Sequence, residues 1–211
     1  MTAYLPELLR GLLVTCELSL VGFAGALVVG SAVAVFRVSP VPPLRAVGAL
    51  WVGVLRNVPL LVLLVLFVFG LPDVGLRFSL FWTAATCLTL YASAFVCETV
   101  RSGIQTVSKG QAEAARAIGL GFAASLRYVI LPQAFRVMVQ PLGNVFIGVV
   151  LGTSLVAAVG VADLTNKTES LDLQYNEPLT TFGLAAAFYV AITLGGGLLF
   201  GVLERRLRVS R

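Results

Sequence analysis

The chain has 211 residues, 58% of them hydrophobic and only 12% charged, with 15 Lys and Arg against 10 Asp and Glu for a net charge of +5. A mean hydropathy of +0.97 excludes an ordinary soluble domain and makes the bilayer the natural solvent. The lack of any histidine removes Ser-His and zinc-His chemistry, and no G-x-x-x-x-G-K-[ST] string exists to cradle a nucleotide phosphate.

About 20 helical residues cross a hydrocarbon core of about 30 Å, and five stretches meet or approach that length. They are Leu18 to Phe36, Ala46 to Leu71 broken by Arg56, Phe78 to Cys97, Val137 to Ala162, and Pro178 to Leu203. The second is the weakest, because Asn57 to Leu71 alone would be short; an amphipathic lead-in along Trp51 to Arg56 would lengthen it. The expected fold is an all-α membrane protein of about five transmembrane helices, organised as a single membrane domain over residues 1–211. No low-complexity tract or solenoid-period repeat argues for more.

An odd number of spans puts the termini on opposite sides, and Lys and Arg collect on the cytoplasmic one. With the C-terminus inside, Arg37, Arg45, Arg56, Arg101, Lys109, Arg116, Arg127, Arg136, Arg205, Arg206, Arg208 and Arg211 all fall inside. Only Arg10, Arg77 and Lys167 are left outside, together with the acids Glu7, Asp73, Asp163, Glu169, Asp172 and Glu177. The positive charge is thus topological and is not read as a nucleic-acid footprint. The first apolar run lacks a basic n-region beyond Arg10 and exceeds a typical signal h-region, so it is kept as a mature helix. Cys16, Cys87 and Cys97 lie in predicted spans without ligand-like spacing and read as packing residues.

Between the third and fourth spans lies the polar, Ala-rich stretch Ser108 to Pro132. Ser108 and Gln111 fit a capping box, which opens a helix over Ala112, Glu113, Ala114, Ala115, Arg116, Ala117 and Ile118, with Gly119 as its left-handed end. At 1.5 Å per residue this helix is about 12 Å long, too short to span, and it should lie on the cytoplasmic surface. A second helical segment, Phe122 to Ile130, leads to Pro132 and a bend. Alanines at 112, 114, 115 and 117 leave a thin knob that suits a groove in a partner. The alternative is that alanine simply favours helix while Glu113 pairs with Arg116 at i,i+3.

Glu113-Ala114-Ala115, three residues, Gly119, nine residues, then Val129-Ile130-Leu131-Pro132 resembles the EAA loop of bacterial ABC importer permeases, with Val129 where isoleucine is usual. Leu55-Arg56-Asn57-Val58-Pro59-Leu60-Leu61, Gly70-Leu71-Pro72, Glu98 to Gly119, Pro132-Gln133-Ala134 and Pro141-Leu142-Gly143-Asn144 resemble its polar amino acid branch. The likeness runs from about residue 10 to the C-terminus. The SGIQTV and GQAEAARAIGLGF strings are most similar to permeases of glutamate importers.

The resemblance implies a multi-pass permease of the bacterial cell membrane that carries a polar amino acid, glutamate being the best single choice. It pairs with a second permease subunit, identical or homologous, and an extracytoplasmic binding protein delivers the solute. ATP and Mg bind to partner ATPases, whose closure swings Glu113, Ala114, Ala115, Arg116 and Gly119, and through Pro132 the spans beside them. This chain itself is expected to hold no cofactor, no metal and no catalytic residue. A non-transporting membrane scaffold or sensor is the competing reading. It explains the hydrophobicity but not the capped helix, Gly119 and Pro132 within one loop.

Polar groups inside spans are costly and mark candidate contacts. Asn144, Thr153 and Ser154 are the candidates for the solute path, against interhelical bonding or bonding to the preceding turn. Many permeases of this type carry K-D-T-S-L where this chain has Leu151-Gly152-Thr153-Ser154-Leu155, so the charged pair is missing. On that likeness the chain would be the less decorated half of a heteromeric pore. Glu17 is expected near the outer end of the first span, snorkelling to the interface. Asp163 to Glu177 is expected either to touch a binding protein or to form a solvated loop, and Arg205, Arg206 and Arg208 to anchor the last helix.

Overall fold

A computed structural model describes residues 4–207, so Arg208 and Arg211 lie outside the described residues. Every element in that range is helical. The first, α1 (Leu5–Val38), starts 13 residues before the expected span. Glu7, Arg10 and Glu17 made this segment look solvated, yet Lys167 meets Glu7 at 2.8 Å, and Leu8 is fully buried with Tyr4, Leu164, Leu171 and Ala185. Glu17 is exposed about three turns inside this helix.

The expected second span is two helices. Helices α2 (Pro42–Asn57) and α3 (Leu60–Asp73) are bent by 101° at the break between them. The break falls at Val58-Pro59 and not at Arg56, because proline pushes the residue before it into extended backbone; Val58 has φ −103° and ψ 129°. Fourteen residues give α3 about 21 Å, short of a crossing by itself. Trp51 on α2 donates from Nε1 to Ser93 Oγ at 3.0 Å, fixing the amphipathic helix to the bundle.

Three long helices follow the predicted spans: α4 (Leu80–Thr106), then, after the short α5 (Lys109–Ala117), α6 (Leu126–Val159), and finally α8 (Pro178–Leu207) after α7 (Leu164–Tyr175). Among the described residues, four helices are long and apolar enough to cross a membrane, or five counting the bent pair.

The core is a parallel pairing of α1 with α4. Gly22, Ala26 and Gly30 are buried one turn apart along α1, a small-xxx-small stripe that lets backbones approach. A Cβ on Gly30 would come within 2.6 Å of the Ser93 carbonyl oxygen.

Two expectations about prolines and loops are corrected. The helix does not break at Pro132. Residues Leu126–Ile130 form a π turn in which the Leu131 N–H reaches the Leu126 carbonyl, and the helix continues through Pro132 to Thr153; the wider turn accommodates the missing proline donor. Leu66–Gly70 does the same ahead of Pro72. Nor is Asp163 to Glu177 a solvated loop: it is α7, docked on α1, where the Leu164 N–H donates to Thr15 Oγ1 at 3.1 Å.

Asp163 caps α7. Its Oδ1 accepts from the Asn166 N–H at 2.9 Å and its Oδ2 from the Tyr189 hydroxyl at 3.2 Å, while the Tyr189 and Thr165 hydroxyls lie 2.9 Å apart. The residue is fully buried. Desolvation outweighs these donors and pushes the Asp163 carboxyl up to about 6, with Glu169 adding a smaller push in the same direction. A carboxyl whose pKa rises on folding holds its proton longer folded than unfolded, so stability falls as pH climbs from about 4 to about 6 and is flat above. Asp163→Asn keeps the cap without the charge. The expected result is an apparent Tm higher than wild type at pH 7.5 by the equivalent of at most about 3 kcal/mol, with the difference closing towards pH 4; differential scanning fluorimetry across pH checks it.

Candidate functional site: a track from an apolar cavity to a cytoplasmic knob

Helix α5 ends as the glycine predicts. Gly119 has φ +85°, its N–H reaches the Arg116 carbonyl at 2.9 Å, and the Leu120 N–H reaches the Ala115 carbonyl at 3.0 Å. This bond pair closes the helix in a Schellman motif. The start differs from expectation. Ser108 is the N-cap residue, but its hydroxyl accepts no cap hydrogen bond. The Gln111 amide instead faces Gln133 of α6 at 3.5 Å. The Glu113–Arg116 ion pair does not form either, since Arg116 Nε donates to the Ala112 carbonyl at 3.3 Å.

Of the alanines, Ala115 is buried within the chain, whereas Glu113, Ala114, Arg116 and Ala117 point outward. Beside them Ile118 is 78% exposed, an apolar tip that the alanine pattern did not flag. Its signal was its position in the cap residue, next to a left-handed glycine that turns the chain away.

The solute-path candidates separate. Asn144 lines an open cavity of about 370 Å³ with Leu60, Tyr91, Phe95 and Gly148. Thr153 is fully buried and bonds back to the Val150 carbonyl at 2.7 Å; Ser154 bonds to the Leu151 carbonyl at 2.7 Å. Neither lines that cavity.

Two further cavities lie along the same helices towards α5, sharing no lining residue with the first. One, of about 380 Å³, is bounded by Arg56, Glu98, Arg101, Ser102 and Pro141, and the next, of about 390 Å³, by Thr106, Gln111, Gln133 and Arg136; they share Thr106 and Val137. The lining residues of α4 are 88, 91, 92, 95, 98, 99, 101, 102, 103 and 106, most of them at helical spacing. Those of α6 are 133, 136, 137, 138, 141, 144, 145, 148 and 149. One face of each helix therefore forms one track, apolar at the Asn144 end and polar at the α5 end.

Charge is fixed along it. Glu98 bridges Arg101 at 2.8 Å and Arg37 of α1 at 3.1 Å, and the Arg56 guanidinium lies 5.4 Å from the Phe95 ring centre, within cation–π range. Among the ionic residues lining these cavities, Arg56, Arg101 and Arg136 face one carboxylate, Glu98, which leaves an excess of two positive charges. Pro141 removes the N–H that would otherwise bond the Val137 carbonyl, at the point where the two polar cavities meet. Sequence reasoning missed Arg56, Glu98 and Arg101 as cavity-lining residues. The polar repeat 98, 99, 102, 106 along α4 was the available signal.

Residues 5–209 match the family described as binding-protein-dependent transport system inner membrane component. The chain belongs to this family. As a permease of that family it is 40% identical to the probable glutamine ABC transporter permease protein GlnM of Bacillus subtilis, over 91% of this chain and 89% of that one. It is 35% identical to the glutamate transport system permease protein GluC of Corynebacterium glutamicum, over 98% and 96%. Among solved structures, an amino acid ABC transporter described as crystallised with histidines superposes with a TM-score of 0.91 at 33% identity, covering 98% of this chain and 96% of that one. The permease is an integral membrane transport component, and in this family's ABC systems the ATPase is a separate subunit. Glu113 to Gly119 thus stands on a permease as an exposed, capped helix between two spans.

Proposed function

We propose that the chain is the permease subunit of an ATP-driven importer of polar amino acids in the bacterial cell membrane, with glutamate as the first solute to test and glutamine as its neighbour. The carrying observation is the row of three cavities along α4 and α6, from Asn144 at one end to Gln111 of α5 at the other. A path that terminates on the helix offered to a motor joins transport to work in one chain. The positive excess around Arg56, Arg101 and Arg136 supports a solute with carboxylates over a cationic one, because a low-dielectric cleft of one sign concentrates ions of the other. The names of the glutamine and glutamate relatives support the same class.

In this reading two ATPases hold ATP and Mg and receive α5, a second permease subunit closes the open cavity, and an extracytoplasmic binding protein loads it. ATPase closure displaces α5, and because α5 joins α4 to α6 the two walls of the track move together; access then alternates between the two faces of the membrane. Asn144 supplies an amide at the apolar end that can meet either an ammonium or a carboxylate. Competition uptake into vesicles holding the reconstituted complex, with glutamate, glutamine, arginine and histidine as competitors, tests the substrate class: glutamate and glutamine should compete and arginine should not. Asn144→Leu preserves bulk and removes the hydrogen bonds. It is expected to raise the uptake KM by about tenfold or more, the cost of an unpaired polar group in the site, with ATPase association unchanged.

A further inference from the structure

Helix α6 has a second lined face, turned away from the track. Leu131, Phe135, Met138 and Leu142 border an apolar groove of about 600 Å³, walled on the other side by Leu27, Ser31 and Val35 of α1 and closed at one end by Ser39 and Pro40. No residue lining it is charged, and it shares only Met138 with the track cavities.

Its depth is informative. On α1 the charge-free run between Glu17 and Arg37 is Leu18 to Phe36, about 28 Å of helix and so about one hydrocarbon thickness. Leu27 is the middle of that run and Ser39 lies just past its basic end. The groove therefore extends from about the bilayer midplane to the cytoplasmic interface, one leaflet deep.

The mouth is basic. Arg45 Nη1 lies 3.4 Å from both the Ser39 and Pro40 carbonyls, which holds its guanidinium at the closed end, and Arg127, exposed over the Tyr128 ring, follows directly on the lining residue Leu126. Arg37, the other cation near this end of α1, is engaged by Glu98. An apolar slot one leaflet deep, with two guanidinium groups at its interfacial end that meet no carboxylate in an ion pair among the described residues, has the shape and charge of a lipid bound by tail and headgroup.

We propose that this groove binds one anionic phospholipid of the cytoplasmic leaflet, its acyl chain along Leu27 to Phe135 and its phosphate at Arg45 and Arg127. Because Leu126, Leu131 and Phe135 belong to the segment that joins α5 to the membrane, the lipid braces the helix through which α5 moves.

The test uses the assembled transporter in detergent, with native mass spectrometry after addition of phosphatidylglycerol or phosphatidylcholine of identical acyl chains. Wild type is expected to retain phosphatidylglycerol over phosphatidylcholine by about fivefold or more, as one or two basic contacts to an anionic headgroup supply. Ser31→Trp, at an exposed position in the slot, should abolish retention of both lipids. Arg45→Ala with Arg127→Ala should erase the preference while leaving tail binding, and Arg45→Lys with Arg127→Lys should restore it. Equal retention of the two lipids by wild type, or a preference that survives Ser31→Trp or the double alanine variant, overturns the proposal. So does efficient cross-linking of Ser31→Cys to a neighbouring subunit, which would put a protein helix in the groove.

Discussion

Ile118→Asp is expected to separate the permease from its ATPases without unfolding it. Ile118 is 78% exposed, so within the chain the change lies in the range of ordinary surface substitutions, about 0.5 kcal/mol either way. At an interface the balance is different. An apolar tip seated in a partner groove is the kind of residue that carries about 2 kcal/mol or more of binding, and an aspartate buried there would add a desolvation cost. Uptake into vesicles should fall by about 30-fold or more, and tagged permease should lose its ATPases on purification, while the melting temperature of the permease stays unchanged. Gly119→Val acts on the same helix from within. A Cβ at Gly119 would meet nothing within 4 Å, but the residue sits at φ +85°, where an L side chain costs about 1–2 kcal/mol. The Schellman bonds to Ala115 and Arg116 then loosen, the knob loses its fixed exit angle, and uptake should drop less steeply than for Ile118→Asp. If uptake and ATPase association both survived the two substitutions, α5 would not be the coupling element.

The sequence carried much of this architecture because its strongest signals were chemical necessities. A run of 20 apolar residues has one solvent, and Gly119 was free to take the positive φ that ends a helix, whereas Gly160, which does the same, was passed over inside the expected fourth span. What it hid were features decided by distant residues. The first three turns of α1 read as polar because Glu7, Arg10 and Glu17 are ionic, yet Lys167, 160 residues away, pairs with Glu7. Ser108 and Gln111 have the spacing of a capping box, but Gln133 is close enough across the α5–α6 connection to compete for the glutamine amide. Pro132 signals an interruption in isolation; a π turn lets the helix run on through it. The track was legible only in part. Asn144 stood out as an amide in an apolar run, whereas Glu98 and Arg101 acquire meaning only once the register of α4 against α6 places them beside Val137 and Pro141.

The second large effect concerns the packing on which that register depends. Gly30→Val is expected to prevent the α1–α4 pairing. The added Cβ would lie 2.6 Å from both the Ser93 carbonyl oxygen and Val96 Cβ. One of those neighbours is backbone, so rotamer change alone cannot relieve the clash and the helices must separate. Overpacking costs 1–3 kcal/mol where side chains can yield, and a helix pair forced apart along Gly22, Ala26 and Gly30 also loses contacts around buried Phe23, Ala92 and Val96. Separation would further strain the Trp51–Ser93 hydrogen bond that fixes α2 and the Arg37–Glu98 bridge beside the track, so the damage passes from the core to the path. An apparent Tm lower by about 10 °C or more is expected for a chain of this size, with little protein recovered in the membrane fraction. Gly183→Val is the matched control, since an added Cβ there meets nothing within 4 Å. It should leave the Tm within about 2 °C of wild type, since valine is a slightly better helix former than glycine and nothing crowds it there. Equal behaviour of the two variants would mean that the glycine stripe does not set the distance between α1 and α4, and that the track is aligned by other contacts.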